Sequence, residues 1–249
     1  MKELNEQVKQ DIQGFFDTLC DVNTSRVFFN EKDFQVHLAK FLINSRNYDE
    51  VEMEYYVPLS MLDKKLIGTL DFPWVGKLYI DIVVRRGVEY LPIELKYKTK
   101  EEQAEFERFG IPTPNAEMIL TDQMAGNIHR YAFWKDVRRV EMLIHSFPNS
   151  IKHGLCVFLT NDSYYMKKPR PGVKYEKYSM EDGVLHGKDM SWKEKETSDN
   201  QDPTKKKKNE LPNFILANKY RTKWQRTCQQ AGNIKVDSYY TIVEVPPLP

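Results

Sequence analysis

The stretch that decides the fold is residues 79–96, YIDIVVRRGVEYLPIELK, which begins at Tyr79 and ends at Lys96. Both halves are rich in β-branched and aromatic residues, which is typical of β-strands. Gly87, between the two halves, can adopt the positive φ of a two-residue primed turn. The stretch therefore predicts an antiparallel hairpin.

The predicted register of this hairpin brings two acids together. If Gly87 and Val88 form the loop, counting outward places Asp81 directly opposite Glu94, with their Cβ atoms about 4.5–5.5 Å apart. Because side chains alternate along a strand, Lys96 lies on the same face as Glu94. The other face is uniformly apolar and is expected to pack on the core; it consists of Ile80, Ile82, Val84, Leu91, Ile93 and Leu95.

Two interpretations of Asp81, Glu94 and Lys96 follow from their spacing. One is an ordinary surface salt-bridge cluster, because acid-x-Lys triplets are common in a chain with 29% charged residues. The other is a metal site, because like charges opposite each other destabilise a sheet and a divalent cation would compensate them. The hairpin context and an acid on a preceding helix, Glu31, favour the metal site. Pro92 removes one ladder donor, which favours a shifted register or an irregular edge.

The first half of the chain outside this hairpin predicts three helices and two further strands. Amphipathic helices are expected within residues 1–20 and after Asn30, which can act as an N-cap. Residues 51–59 alternate as a half-buried strand does, and another strand is possible near 66–72. A long helix is expected over residues 116–146.

The second half predicts two strands separated by an insertion. The apolar run 154–160 indicates a strand covered on both faces. Residues 162–232 are polar and are interpreted as an insertion with a possible helix over 217–230, and a last strand is expected over 239–245. The order of elements predicts an α/β protein with a mixed central sheet flanked by helices.

Composition excludes several classes of protein. Of the 249 residues 41% are hydrophobic, which is enough to form a core, and no apolar run reaches the roughly 18 residues of a membrane-spanning helix. The charged N-terminus lacks the apolar segment of a secretory signal, and there is no P-loop motif. Three cysteines far apart in sequence predict neither a disulfide framework nor a zinc site, so a cytoplasmic protein without a membrane partner is expected. These are Cys20, Cys156 and Cys228.

Charge is distributed unevenly although the formal net charge is only +1. Residues 166–230 contain 16 Lys or Arg and 9 Asp or Glu, which suits either a solvated loop or an arm that contacts phosphates. Within this segment Lys223, Trp224 and Arg226 interleave aromatic and basic side chains, as nucleic-acid-binding segments do. An amphipathic helix that packs Tyr220 and Trp224 on the core is the simpler interpretation.

The pattern Ile80-Asp81 followed by Glu94-Leu95-Lys96 resembles the signature of the PD-(D/E)XK nuclease superfamily, which has the restriction-endonuclease-like fold. Members carry an Asp on one strand and acid-x-Lys on the next; here Ile80 replaces the Pro that often precedes the Asp. Residues 30–160 match the order of the family core, which is helix, three strands, helix, strand. The implied arrangement is one nuclease-like domain over residues 1–249, with its core at about 30–160, a basic polar insertion at about 162–232 and a closing strand at about 239–245.

This resemblance implies Mg²⁺-dependent hydrolysis of phosphodiester bonds in DNA or RNA, with DNA favoured and Mn²⁺ able to substitute. Asp81, Glu94 and the carbonyl of Leu95 would hold the metal, which polarises the phosphate and lowers the pKa of a bound water. Lys96 would orient or help to deprotonate that water and stabilise the transition state. Glu31 would act through a second metal or a metal-bound water.

Other expectations from the same resemblance concern partners. Gln123 and Arg130, near the start of the long helix, are candidates to contact the metal water or the nucleic-acid backbone, or else are solvated helix residues. A homodimer is left open. The alternative to an enzyme is a non-catalytic module of the same fold that binds nucleic acid or protein, but a complete set of two acids and a lysine favours catalysis.

Four charged residues of the long helix are expected to form ion pairs on its surface: Asp136, Arg138, Arg139 and Glu141.

Overall fold

The computed structural model describes residues 2–21, 26–63, 77–123, 125–193, 211–231 and 233–247. Within these ranges the chain forms three α-helices and fourteen strands. The helices are α1 (Leu4–Thr18), α2 (Glu31–Ser45) and α3 (Gly126–Ser146). The strands are β1 (Glu50–Val57), β2 (Leu78–Arg86), β3 (Glu89–Lys98), β4 (Glu102–Ala104), β5 (Glu107–Arg108), β6 (Ile111–Pro112), β7 (Glu117–Leu120), β8 (Gly154–Thr160), β9 (Leu185–His186), β10 (Asp189–Met190), β11 (Phe214–Ile215), β12 (Tyr220–Arg221), β13 (Trp224–Ala231) and β14 (Ile234–Val245).

A mixed six-stranded sheet organises the molecule. Its strand order is β1-β2-β3-β8-β14-β13, in which β3 and β8 are parallel and the other neighbours are antiparallel. Two parallel strands need a long crossover connection, and α3 lies in the connection between β3 and β8. The predicted mixed central sheet flanked by helices is confirmed. The finer expectation, a restriction-endonuclease-like core, stays a prediction.

The two faces of the sheet are covered by different helices. One face packs on α1 and α2, with Phe16 and Phe34 among the buried side chains. The other packs on α3, where Phe133 and Val140 meet Phe158 of β8 and neighbouring residues. The strand β8 is buried along its whole length, as its apolar run predicts. The sheet is therefore the middle layer, and side chains of β3 alternate between the two helical layers.

Both N-terminal helices follow the predicted pattern. The apolar positions of α1, from Leu4 to Phe16, are buried at helical spacing. The side chain of Asn30 caps α2 by accepting a hydrogen bond from the backbone N–H of Asp33 at 2.8 Å. The cap satisfies one of the free N–H groups at the start of α2 and leaves Glu31 in its first turn.

The central hairpin has the predicted register, with one change on its apolar face. Arg86 pairs with Glu89, and Gly87 has φ +61°, as the first central residue of a type II′ turn requires. Ile80, however, does not join the face covered by α1 and α2. It packs with Val83 on the side of α3, because alternation is interrupted between Ile80 and Ile82.

A backbone irregularity accompanies this interruption. Glu54 of β1 has φ +52°, and it lies between the pairs Met53–Ile82 and Tyr55–Ile80. This position is opposite Asp81 in β2. Met53 is 45% exposed, so the predicted half-buried face of this strand is only partly formed. The irregular backbone turns Asp81 out of the regular strand pattern.

Several predicted boundaries are wrong. The helix expected over 116–146 begins only at Gly126, because β7 pairs with β4 before it. The helix expected over 217–230 is absent from this described segment, which forms β12 and β13. Its backbone pairs with β9 and β14 instead, and Thr227 of β13 suits a strand. The last strand begins at Ile234 rather than 239. The possible strand near 66–72 lies outside the described residues.

The cysteines differ from expectation as well. Cys20, just after α1, is joined by a disulfide to Cys228 of β13, whereas Cys156 is free and buried. The two cysteines are 208 residues apart in sequence, so their pairing could not be predicted without knowing that α1 packs near β13. Among the described helices none is long and apolar enough to cross a membrane.

Candidate active site at the end of the central hairpin

The candidate site lies where β2 and β3 separate. Their paired ladder ends at Ile82–Ile93. Beyond it, the Asp81 carboxylate accepts a hydrogen bond from the backbone N–H of Leu95 at 2.6 Å. Two residues further along β3, the Glu31 carboxylate accepts one from the N–H of Tyr97 at 2.9 Å. Two carboxylates thus occupy the edge of β3 that a neighbouring strand would otherwise fill.

The predicted pair Asp81 and Glu94 therefore lies at the same level of the two strands without forming a ladder pair. Extrapolating the observed register places them opposite each other, yet Asp81 bonds to the backbone of Leu95. Gln35 of α2, only 3% exposed, supports this arrangement by donating a hydrogen bond to the backbone carbonyl of Asp81 at 2.5 Å. It also donates to Glu54 at 3.0 Å. Gln35 was not identified from the sequence, although it lies one turn after Glu31.

Glu94 points into the layer between the sheet and α3. It is 2% exposed, and its Oε1 atom lies 3.3 Å from an Nη1 atom of Arg139. Among the described residues, that oxygen has no hydrogen bond of acceptable geometry. A carboxylate in this position is almost entirely removed from water and depends on nearby positive charge.

Lys96 faces the same layer and is held by α3. Its Nζ atom lies 2.6 Å from Asp136 Oδ2 and donates a hydrogen bond to the Leu95 carbonyl at 3.0 Å. Asp136 is also 3.1 Å from Arg139. The Leu95 carbonyl, expected as a metal ligand, therefore accepts a hydrogen bond from Lys96 in this structure.

The expectation that the charged residues of the long helix form surface ion pairs is wrong for Asp136 and Glu141, which are 4% and 0% exposed. Asp136 follows Phe133 by three residues and precedes Val140 by four, so it shares their inward face. That spacing was the signal available in the sequence. Arg139 reaches the same site, whereas Arg138 pairs with Glu141 at 2.8 Å.

Glu141 has a structural role away from the site. Its Oε1 atom accepts hydrogen bonds from the backbone N–H of Ala217 at 2.8 Å and from the hydroxyl of Tyr220 at 2.7 Å. The carboxylate thereby fastens the segment before β12 to α3. A buried acid satisfied in this way stabilises the fold and needs no further ligand.

Electrostatics at the site follow from burial. Desolvation raises the pKa of Asp81 and of Glu94, against the opposing effects of Lys96 and Arg139. Burial alone would lower the pKa of Lys96, but the surrounding carboxylates, Asp136 first, outweigh it and raise that pKa. The pKa of Arg139 is raised for the same reason. Three carboxylates and two cationic groups lie in this region, so one negative charge is left uncompensated when all five are ionised. They are Asp81, Glu94, Asp136, Lys96 and Arg139.

The donor set consists of oxygen atoms, which are the ligands that a hard divalent cation takes. Mg²⁺ prefers oxygen ligands and usually takes one or two carboxylates, with water and phosphate completing its shell. Asp81, Glu94 and the Leu95 carbonyl supply such oxygens, and Glu94 Oε1 lacks a hydrogen bond within the described chain. The described ranges contain no group of three or more His, Cys, Asp or Glu side chains arranged as a metal site. The predicted metal ligands include only two such side chains, Asp81 and Glu94, with the Leu95 carbonyl as the third ligand.

The remaining predicted nucleic-acid contacts fall into two groups. Gln123 and Arg130 line one pocket at the start of α3. Lys223, Trp224 and Arg226 lie at or just before β13, three strands from β3 in the sheet order, or about 14 Å at the usual strand spacing.

The second group is not brought to the site. Trp224 is 8% exposed and donates a hydrogen bond to the Met180 carbonyl at 2.8 Å, so it is a core residue rather than a base-stacking one. Arg226 is exposed and pairs with Asp237 of β14 at 3.0 Å. Lys223 is exposed.

Comparison with known proteins adds nothing to this geometry: no family model, curated protein or solved structure matches the chain.

Proposed function

We propose that this protein is a Mg²⁺-dependent nuclease that hydrolyses phosphodiester bonds of DNA or RNA. The observation that carries the proposal is the bond from the Asp81 carboxylate to the N–H of Leu95, between Glu94 and Lys96, at the point where β2 and β3 separate. Burial of Glu94 without a good hydrogen bond to Oε1 is costly for stability, and a bound cation would offset that cost. Perturbed acids in such a position are typical of functional sites.

The roles of the chain's residues follow from their contacts. Asp81, Glu94 and the Leu95 carbonyl would hold Mg²⁺, which when bound polarises a phosphate oxygen and lowers the pKa of its water. Against the effect of burial, Asp136 and the other carboxylates raise the pKa of Lys96. The charged amine would stabilise negative charge on the phosphoryl oxygens.

Asp136 and Glu31 act in this proposal by positioning. Asp136 holds the amine of Lys96 at 2.6 Å. Glu31 holds the edge of β3 through the N–H of Tyr97 and pairs with Lys98 at 3.2 Å. Both contacts hold the acid-x-Lys segment in place where β2 no longer pairs with β3.

A second candidate function is a non-catalytic module that binds nucleic acid or protein. The contact between Arg139 and Glu94 at 3.3 Å favours it, because an internal cation already compensates part of the buried charge. A module of this kind would bind its partner equally well with or without Mg²⁺.

The deciding experiment combines metal binding with a cleavage panel. Single-stranded, double-stranded and branched DNA and RNA are incubated with Mg²⁺ or Mn²⁺, and Mg²⁺ affinity is measured by calorimetry. Glu94→Gln and Lys96→Met should abolish cleavage, and Glu94→Gln should also weaken Mg²⁺ binding. Glu52→Gln, which removes the same charge from an exposed position of β1, should change neither. Absence of cleavage by the wild-type protein on every substrate would favour the binding module.

A further inference from the structure

A second concave site lies at the start of α3, outside the carboxylate cluster. It is a pocket of ≈ 330 Å³, within the range of small-molecule sites. Aromatic rings, carboxamides, carboxylates and one arginine line it. The side chains that matter are Gln123, Asn127, Arg130, Asp162, Tyr164 and Tyr175.

Arg130 is the centre of this pocket. It is 2% exposed, and its guanidinium lies 4.5 Å from the ring centre of Tyr165 and 5.1 Å from those of Tyr164 and Tyr175. It donates hydrogen bonds to the carbonyls of Gly126 at 3.1 Å and Tyr164 at 3.0 Å. No carboxylate of the described chain lies within ion-pairing distance of Arg130, so the three rings and the two backbone carbonyls compensate its positive charge.

The walls of the pocket combine flat rings with polar edges. Tyr164 is 43% exposed, and its hydroxyl is 2.7 Å from that of Tyr175, which fixes the two rings relative to each other. Gln123 and Asn127 carry carboxamides that can both donate and accept hydrogen bonds. Asp162 adds a carboxylate, already fixed by the backbone N–H of Tyr164 at 2.9 Å.

The polar groups of the pocket determine which ligand it can bind. A free phosphate would meet the carboxylates of Asp122 and Asp162, both of which line the pocket, and would be repelled by them. A neutral planar ring with N–H donors and carbonyl acceptors can instead stack on the exposed ring of Tyr164. It can also hydrogen-bond to the carboxamides of Gln123 and Asn127. Unpaired nucleobases are recognised in this way.

The pocket is close to the candidate active site. Thr99, on its wall, follows Lys96 by three residues, which is about 10 Å along an extended strand. Arg130 precedes Asp136 by six residues, about 9 Å along a helix. His129 precedes Arg130, and its Nδ1 atom is 2.9 Å from the hydroxyl of Tyr165, which lines the pocket. Burial, with the charge of Lys98 next, lowers the pKa of His129 to about 4.

We propose that this pocket binds one unpaired nucleobase of the substrate, a few nucleotides from the phosphate at the carboxylate cluster. The protein would then prefer single-stranded or locally unpaired nucleic acid. This inference rests on the proposed function only in taking the substrate to be a nucleic acid.

The test measures binding separately from cleavage. Fluorescence anisotropy in EDTA follows fluorescein-labelled 20-nucleotide single-stranded DNA and RNA, the same sequences as duplexes, and an oligonucleotide in which every base is removed. Tyr164→Ala should weaken binding of the single strands about 5- to 150-fold, because stacking on one aromatic ring contributes this much per base. Tyr164→Phe keeps the ring but loses the hydroxyl contact with Tyr175, so it should recover most of the affinity that Tyr164→Ala loses. Tyr56→Ala is the matched control, since Tyr56 is a similarly exposed tyrosine, 49%, on β1.

The abasic oligonucleotide decides the interpretation. If Tyr164 stacks on a base, wild type and Tyr164→Ala should bind the abasic strand equally weakly. Equal loss on abasic, duplex and single-stranded ligands would overturn the proposal, as would unchanged binding by a folded Tyr164→Ala variant, with folding checked by thermal melting. A wild type that cleaves DNA but shows no Tyr164 effect refutes the pocket alone. Base-dependent binding without any cleavage refutes the nuclease alone.

Discussion

Replacing Lys96 with methionine removes the amine that lies 2.6 Å from Asp136 and leaves a buried carboxylate behind. The side chains of Lys96 and Asp136 are 15% and 6% exposed, so water screens their attraction little. At an effective dielectric constant of about 20, unit charges at this distance attract by about 6 kcal/mol, but desolvation of both groups offsets much of that. Arg139 remains 3.1 Å from Asp136 as a second partner. We therefore expect Lys96→Met to lower the free energy of unfolding by about 2–4 kcal/mol.

A double-mutant cycle isolates the pair. Lys96→Met, Asp136→Asn and the double variant are unfolded in urea and followed by circular dichroism, and the coupling energy should be about 1–3 kcal/mol. The matched control is the ion pair of Lys177 and Asp189, whose side chains are 50% and 61% exposed. Its coupling should stay below about 1 kcal/mol.

A functional readout separates positioning from stability. Because Asp136 raises the pKa of Lys96, Asp136→Asn should lower that pKa and move the alkaline limit of cleavage to lower pH. A merely structural role would reduce the amount of folded enzyme without moving this limit. Additive effects of Lys96→Met and Asp136→Asn, or a coupling no larger than that of the exposed control pair, would refute the reasoning.

Further predictions concern metal, pH, the disulfide and packing. Glu94→Gln should abolish the rise in melting temperature that Mg²⁺ causes in the wild type; an undiminished rise would remove Glu94 from the metal ligands. Burial raises the pKa of Asp81 and Glu94, so the folded state binds these protons more tightly than the unfolded chain. Stability from this source is present at low pH and is lost as pH rises through the folded-state values. Melting curves in EDTA should show this loss, and saturating Mg²⁺ should reduce it; a loss unaffected by Mg²⁺ would argue against metal binding by these acids. Cys20→Ser should lower the free energy of unfolding by about 3–5 kcal/mol without reductant, because the link to Cys228 spans 208 residues, and denaturation in dithiothreitol should nearly cancel the difference. Gly154→Ala should lower the free energy of unfolding in urea by about 1–3 kcal/mol, because a Cβ there collides with Val140 of α3. An unchanged free energy would mean that α3 can shift away from β8.

Local patterns were enough to predict the elements that surround the site. The turn at Gly87 sets the register of the hairpin, and the alternation of β3 places Glu94 and Lys96 on one face. The Asn30 cap predicts where α2 begins, and so puts Glu31 in its first turn. These features depend on residues close together in sequence, so the sequence alone predicted them.

The wrong helix over 217–230 shows where local patterns fail. Tyr220 and Trp224 are spaced four apart and both are buried, which suits a helix, yet they belong to β12 and β13. Hydrogen bonds to β9 and β14 decide the conformation, and these strands could not be paired with the segment from its own residues. Tertiary context overrides weak propensity in such segments.

What the sequence alone determined is the acid, acid and lysine motif and the face of the hairpin that carries it. Only the tertiary structure decided which charges meet that motif: Asp136 and Arg139 reach it because α3 packs across β3 and β8 after a crossover. The separation of the strands beyond Ile82 was likewise invisible in the alternation of residues. The physical reason is that side-chain direction follows from backbone periodicity, whereas the partner of a buried charge depends on which distant element the sheet brings against it.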